Sequence, residues 1–245
     1  MKSFLLSTLS CLPVLAGTIA DTQSEWYQKY RKQKNVPEPS KMLLNLAKEP
    51  DLKKGFVSLF NGKNLDGWNA KGGKALFEVK GGMIVGTAVP GTPSTYLCSD
   101  KVDFQDFVFT CDLKWGENLN SGVMFRASNR MKGDHVEVFG PQVEMEGVIG
   151  DRRWSGGVYG QSCGGYFYPL WLEEHKAVRA AINRQGWNRI TIEAKGNVVK
   201  TWLNGVPAAH WVGDATYSSG FFGLQVHKAK SGKVFFRNIR VQELR

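Results

Sequence analysis

The chain has 245 residues and a formal net charge of +10. Its basic residues are scattered over Lys29–Lys54, Lys63–Lys80, Arg126–Arg130, Arg152–Arg153 and Arg237–Arg245, not gathered on one helix or stripe, which argues against nucleic acid as a partner. With 14 Phe, 8 Trp and 7 Tyr the chain has ample apolar surface to pack a single large β domain.

In chain order, Lys2, the apolar run Phe4–Leu15 and the small-residue stretch Thr18-Ile19-Ala20 predict a signal peptide over residues 1–20, cleaved after Ala20. The run is too short to span a bilayer. No later segment is long and apolar enough, so no stable membrane insertion is expected. The expected location is exported: periplasmic, cell-surface or extracellular. Residues 21–54 are rich in Lys, Glu, Gln and Pro and lack strand alternation. They predict an N-terminal extension, partly helical or flexible. A short helix is expected over Ser24–Lys34, an extended break at Val36-Pro37-Glu38-Pro39, and a second helix over Ser40–Lys48 capped by Ser40.

From Gly55 the pattern changes to short strands separated by Gly, Asn and Asp turns. Strands are predicted over Phe56–Phe60, Leu76–Lys80, Met83–Gly86, Thr95–Cys98, Asp106–Trp115, Gly122–Ala127 and His135–Phe139. The series continues with Gln142–Glu146, Gly156–Tyr159, Asn188–Ala194, Val198–Leu203, Phe221–His227 and Lys233–Gln242. Lys80-Gly81-Gly82, Lys195-Gly196-Asn197 and above all Leu203-Asn204-Gly205-Val206 carry hairpin-turn signals. Many short strands at this spacing predict an all-β, two-sheet antiparallel sandwich over residues 55–245. Val123, Phe125, Phe107, Phe109, Ile190, Ile192, Leu224 and Val226 are predicted inward. Arg152–Gln185 is long and irregular but holds Trp154, Tyr159, Tyr166, Phe167, Tyr168 and Trp171, which predicts a folded loop beside a site.

Cys98, Cys111 and Cys163 remain after cleavage, an odd number that excludes complete internal pairing. Cys111 alternates with core residues and reads as a buried thiol; a Cys98–Cys111 disulfide is the lesser alternative. There is no CxxC pair for a cysteine zinc site. His135 and Glu137 share a strand face without a visible third ligand, so no metal site is predicted. The sequence leaves any cofactor, including an oxygen-bound divalent cation, and the oligomeric state unread.

Three strands put polar groups opposite apolar ones. In Gln142-Val143-Glu144-Met145-Glu146, the amide and two carboxylates share one face. In Gly122–Ala127, Val123, Phe125 and Ala127 share a face and Met124 and Arg126 take the other. In Phe221–His227, Gln225 and His227 lie opposite Phe222, Leu224 and Val226. Glu144 and Glu146 lie roughly 7 Å apart by strand rise, a spacing that permits either a retaining or an inverting glycosidase pair. Trp202, on the face of Lys200 and Asn204, is a candidate sugar platform or a packing residue. Arg126 either enters the site or pairs with Glu144 across strands. Arg237 shares a face with Phe235, Ile239 and Val241 and reads as a structural arginine.

Several segments resemble the 3-keto-disaccharide hydrolase family. They are Phe56–Trp68, Ser121-Gly122-Val123-Met124-Phe125-Arg126, Gly186-Trp187-Asn188, Leu203-Asn204-Gly205, Gly223-Leu224-Gln225-Val226-His227 and Val234–Ile239. The resemblance implies a concanavalin A-like jelly roll and action on glycosides oxidised to a ketone at sugar carbon 3. The strand Gln142–Glu146 departs from the family's usual pattern of an aspartate-containing loop after this strand.

In a 3-keto sugar the ketone acidifies the hydrogen on carbon 2. A base removes it, the enolate expels the aglycone from carbon 1, and water adds. The expected base is Glu144 or His227, with Arg126 as catalytic cation and Gln142, Glu146, Tyr159, Gln225 and Trp202 as substrate-binding residues. The expected partner is a carbohydrate substrate. The alternative function is a non-catalytic carbohydrate-binding module on the same fold.

Overall fold

The computed structural model describes residues 21–116, 119–147 and 152–244; the predicted signal peptide lies outside them. Alternation from Gly55 onward becomes a series of antiparallel strands. In order these are β1 (Val57–Ser58), β2 (Trp68–Gly72), β3 (Leu76–Lys80), β4 (Met83–Thr87), β5 (Thr95–Ser99), β6 (Phe107–Trp115), β7 (Ser121–Lys132) and β8 (His135–Met145). Then come β9 (Val158–Gln161), β10 (Gly165–Tyr168), β11 (Asn188–Lys195), β12 (Val198–Leu203), β13 (Val206–Val212), β14 (Phe221–Val226) and β15 (Lys233–Glu243).

They form two sheets, as the concanavalin A-like expectation requires. One runs β13-β12-β11-β6-β15-β4-β3 with β1 on β15; the other runs β10-β9-β8-β7-β14-β5-β2. All eight residues predicted inward lie in the shared core. Phe222 of the second sheet packs on Phe107 and Phe109 of the first at ring-centroid distances of 4.8 and 4.4 Å, which locks the two layers face to face. Gly81 and Gly82 (φ +56° and +72°) and Asn204 and Gly205 (φ +54° and +84°) make the hairpin turns that their sequences predict. Cys98 and Cys111 are buried free thiols, so they do not form the disulfide considered above, and Cys163 is also free.

Several elements differ from expectation. The predicted strands His135–Phe139 and Gln142–Glu146 are one strand, β8, continuous through Gly140 and Pro141. Strands β2, β10 and β13 were hidden because Asn69-Ala70-Lys71, Gly165 and Pro207-Ala208-Ala209 break the apolar alternation. The helix expected over Ser24–Lys34 is α1 (Asp21–Tyr30). The helix expected over Ser40–Lys48 is absent: only a 3-10 turn forms at Pro39–Lys41, and an extended segment follows. A lone helix of that length is marginal in water, whereas the extended chain finds partners on the first sheet. Asn45 Nδ2 donates to Thr201 O at 2.9 Å, Trp202 Nε1 donates to Ala47 O at 3.0 Å, and Glu49 receives Arg189.

Two of the β-bulges move residues singled out in the sequence to another face. Arg126 has φ +45°, and the β7–β8 register shifts between Met124 and Ser128. Ala127 thereby joins Met124 and Tyr96 in a small satellite cluster rather than Val123 and Phe125 in the core. The second bulge lies between Arg237 and Arg240, with Asn238 at φ +53°. Phe236 is therefore inward before the bulge and Ile239 and Val241 after it, so Arg237 does not share their face. It pairs with Asp112 at 3.1 Å and stacks on Trp187.

Candidate functional site

A cavity of about 810 Å³ opens on the outer face of the second sheet, lined by Tyr96, Asn120, Glu144, Arg152, Trp154, Tyr159, Gln225 and His227 among others. Its floor follows from alternation in β8 and β14. Val143 and Met145 enter the core, so Gln142 and Glu144 point out; Leu224 and Val226 enter the core, so Gln225 points out. Register then couples the strands, since Gln142 lies opposite Tyr159 and Gln225 opposite Tyr96.

The floor is a continuous hydrogen-bonded chain. Asn120 Nδ2 donates to Glu144 Oε1 at 2.5 Å, and Gln142 Nε2 donates to Glu144 Oε2 at 2.6 Å. Gln142 Nε2 also reaches Gln225 Oε1 at 3.2 Å, and Gln225 Nε2 donates to the Tyr96 hydroxyl at 3.0 Å. Gly122, opposite Glu144 in register, makes room for this: a Cβ there would lie 2.5 Å from Gln142 Nε2. That Cβ would also lie 2.7 Å from the Val143 backbone oxygen. Gly122→Ala is therefore expected to shift the β7–β8 pairing, push the Gln142 amide off Glu144 and raise the Glu144 midpoint as a hydrogen bond to the carboxylate is lost. Carbon NMR titration of the folded variant would check it.

Burial raises the Glu144 carboxyl to about 7, against the smaller opposing effects of the Asn120 hydrogen bond and the Arg152 charge. Arg152 Nη2 lies 3.7 Å from Glu144 Oε1. Between pH 4.5 and about 7 the folded chain holds the Glu144 proton that the unfolded chain has lost. This group's contribution to stability is thus complete below the unfolded value and lost as pH rises through the folded one. Glu144→Gln is expected to flatten that part of the stability profile, measured as urea midpoints from about pH 4 to 8.

His227, just past β14, has its pKa lowered, chiefly by burial, so its ring is neutral near pH 7. Its Nδ1 lies 2.9 Å from the carbonyl oxygen of Lys228. A carbonyl only accepts, so Nδ1 carries the proton and Nε2 keeps its lone pair.

The structure thus brings Glu144, Tyr159, Gln225 and His227 to one cavity, with Gln142 buried beneath them and bonded to Glu144 and Gln225. It does not bring Arg126 or Trp202 there. The bulge turns Arg126 to the end of the sandwich, where it is buried. Its Nε donates to Gln105 O at 2.8 Å, Nη1 to Gly196 O at 2.7 Å, and Nη2 to Asp106 Oδ1 at 3.0 Å. Trp202 lies on the first sheet, buried under the extended N-terminal segment. Glu146 sits just beyond the end of β8 and behind the cavity wall. Its Oε1 accepts from Arg152 Nε at 2.7 Å and its Oε2 from Trp154 N at 2.9 Å, so it orients the guanidinium. Among the described residues, no group of three His, Cys, Asp or Glu side chains is placed to hold a metal ion.

The sequence model for the 3-keto-alpha-glucoside-1,2-lyase-like domain matches residues 55–242. The chain belongs to this family. No curated protein matches it significantly. Among solved structures, a candidate glycosyl hydrolase from Parabacteroides distasonis is similar at 21% identity, covering 82% of this chain and 100% of its own, with a TM-score of 0.56. A Bacillus subtilis protein of unknown function with a galectin-like fold is similar at 12% identity over 73% of this chain and 90% of its own, TM-score 0.53. The exoplasmic/lumenal domain of VIP36 in a Ca2+/mannose-bound form gives 8% identity, 79% and 91% coverage, and a TM-score of 0.50. These likenesses establish the sandwich fold.

Three cavity residues of this family member escaped the sequence reading. Asn120 precedes its strand and shows no alternation. Tyr96 lies in a strand buried on both faces, so its apolar neighbours disguise the hydroxyl. Arg152 was one of two adjacent arginines in a loop. The signal that pointed to it was the aromatic content of Arg152–Gln185, which folds as expected: Trp154 and Tyr159 pack edge to face at 5.7 Å and both line the cavity.

Proposed function

We propose that the protein cleaves the glycosidic bond of 3-keto-glycosides, including 3-keto-disaccharides, by abstracting the proton beside the ketone. The observation that carries this reading is Glu144, a buried carboxyl at about 7 held by two amides, in one cavity with a cation and a neutral imidazole. Its proton affinity suits exchange near neutral pH. Family membership and a cavity of a size that holds small ligands support a carbohydrate substrate.

In this mechanism the Glu144 carboxylate takes the proton from carbon 2. The electron pair moves onto the ketone oxygen, and the Arg152 guanidinium stabilises the resulting enolate. The enolate then re-forms the ketone and expels the aglycone from carbon 1, leaving an enone. A water held at His227 Nε2 gives its proton to the departing oxygen and its hydroxide to carbon 1. Glu144, its proton exchanged with solvent while the enone lasts, protonates carbon 2, and the sum is hydrolysis. If the enone leaves before water adds, the outcome is a lyase reaction. Among the described residues the two other carboxylates near Glu144 are taken up, Glu146 by Arg152 and the Trp154 amide and Glu137 by Arg130 and Lys132, so neither is poised as the second carboxylate of an ordinary glycosidase. Export through the predicted signal peptide, residues 1–20, is part of the same proposal.

The test is to incubate the protein in D2O with a 3-keto-disaccharide and, separately, with its unoxidised parent. Aglycone release is expected from the ketone alone, with deuterium at carbon 2 of the hydrolysis product. Equal cleavage of the parent would overturn the mechanism. Binding of both sugars without cleavage of either would make the chain a carbohydrate-binding module, the reading to which the mannose-bound VIP36 fold also lends itself.

A further inference from the structure

The family match begins at residue 55, yet the chain before it touches the wall of the cavity. On α1, Tyr30 stacks on Trp171 at 5.6 Å with the rings 19° apart and packs on Tyr166 at 5.4 Å. Trp26 stacks on Tyr30 at 5.9 Å, and the Arg153 guanidinium lies 5.5 Å over its ring. Just past the helix, Lys34 O accepts from Tyr166 N at 3.4 Å and Asn35 Nδ2 donates to Gly164 O at 3.2 Å.

The residues so gripped hold the cavity wall. Tyr166 packs on Trp154 at 5.0 Å and on Tyr159 at 5.9 Å. Trp171 packs on Trp154 at 6.0 Å, and its Nε1 donates to the backbone oxygen of Arg152 at 3.1 Å. Arg152, Trp154 and Tyr159, which line the cavity, are therefore each one contact from a ring that Tyr30 touches. The segment needs such support, because β9 and β10 are short and end the sheet, with β10 paired only to β9.

We propose that α1 belongs to the catalytic apparatus, with Tyr30, backed by Trp26, as a positioning residue that clamps residues 152–171 and so sets the Arg152 guanidinium beside Glu144. The clamp rests on the reading of this cavity as the reactive site, but the placement of Arg152 is measurable without turnover. Glu144 is faced by Arg152 and Glu146 from the segment after β8, by Tyr96 on β5 and by Tyr159 on β9, with His227 in the same cavity. Of these, only the Arg152 charge favours the carboxylate.

The experiment compares Tyr30→Ala, Trp26→Ala and Tyr30→Phe in the whole protein, following the Glu144 carboxyl by carbon NMR titration and turnover of a 3-keto-glycoside by kcat and KM. Tyr30→Ala is expected to raise the Glu144 midpoint by about one unit as Arg152 leaves. It should also lower kcat by about tenfold or more, with a smaller change in KM. Trp26→Ala should move both in the same direction by less. Tyr30→Phe, which keeps the ring, should match the wild type. An unchanged midpoint and kcat in both alanine variants would overturn the clamp. So would loss of activity that only tracks unfolding of the sandwich. If the wild type turns over no 3-keto-glycoside while Tyr30→Ala still moves the midpoint, the clamp stands and the proposed reaction fails.

Discussion

Glu144→Gln is expected to lower turnover of a 3-keto-glycoside by about 10²–10⁴-fold, the usual contribution of a general acid–base group, while the fold persists. The substitution keeps the shape of the side chain and removes the proton acceptor. The floor can adapt to it: Gln142 Oε1 has no partner, so its amide can turn to accept from the new side-chain nitrogen. Removing a buried carboxylate also takes away a charged form that burial disfavours. At alkaline pH the variant should therefore unfold at no lower urea concentration than the wild type. Glu146→Gln should cost less activity, because it acts through Arg152, and His227→Gln should slow the steps that use water. A near-wild-type rate in Glu144→Gln would move proton abstraction to His227. Near-wild-type rates in all three variants would remove this chemistry from the cavity.

Arg126→Met should cost about 2–4 kcal/mol of stability and leave the kcat/KM of the folded protein close to wild type. The guanidinium is buried and donates to three backbone carbonyls, those of Gln105, Gly196 and Tyr217, and to Asp106. Methionine fills the space of the stem and removes the Arg126 donor from each of these acceptors, while Asp106 Oδ1 keeps the Gly196 N–H at 2.9 Å. Breaking a fully buried ion pair costs about 3–5 kcal/mol, but the Asp106 side chain is 37% exposed, and water takes up part of that loss. Urea unfolding at fixed pH gives the comparison. Unchanged stability with lost activity would return Arg126 to the catalytic group.

The contrast between Arg126 and Glu144 shows where a sequence reading holds and where it stops. Both sit in strands read by the same period-two rule. Around Glu144 the rule is unbroken, since Val143 and Met145 enter the core and Glu144 must take the other face. At Arg126 a left-handed backbone conformation inserts a bulge, and every position beyond it changes side. Nothing in Ser121–Ala127 announces that bulge, because it is imposed by pairing with two neighbouring strands at once. Trp202 was placed on the outward face correctly, but its cover, the segment around Ala47, lies far away in sequence.

The sequence by itself determined the two-sheet architecture, the inward faces of its main strands, the hairpin turns and the face shared by Gln142 and Glu144. All of these follow from local rules: side-chain alternation, left-handed turn residues and the low cost of glycine at positive φ. The family, too, was legible in short motifs spread along the chain. Only the tertiary structure decided that Tyr96, Asn120 and Arg152 complete the cavity and that Glu144 is buried deeply enough to hold a proton near pH 7. It alone placed the N-terminal helix behind the aromatic wall. Those features depend on strand register, on how deeply a strand end is buried and on contacts between distant segments, and a charge's proton affinity follows its surroundings rather than its neighbours in sequence.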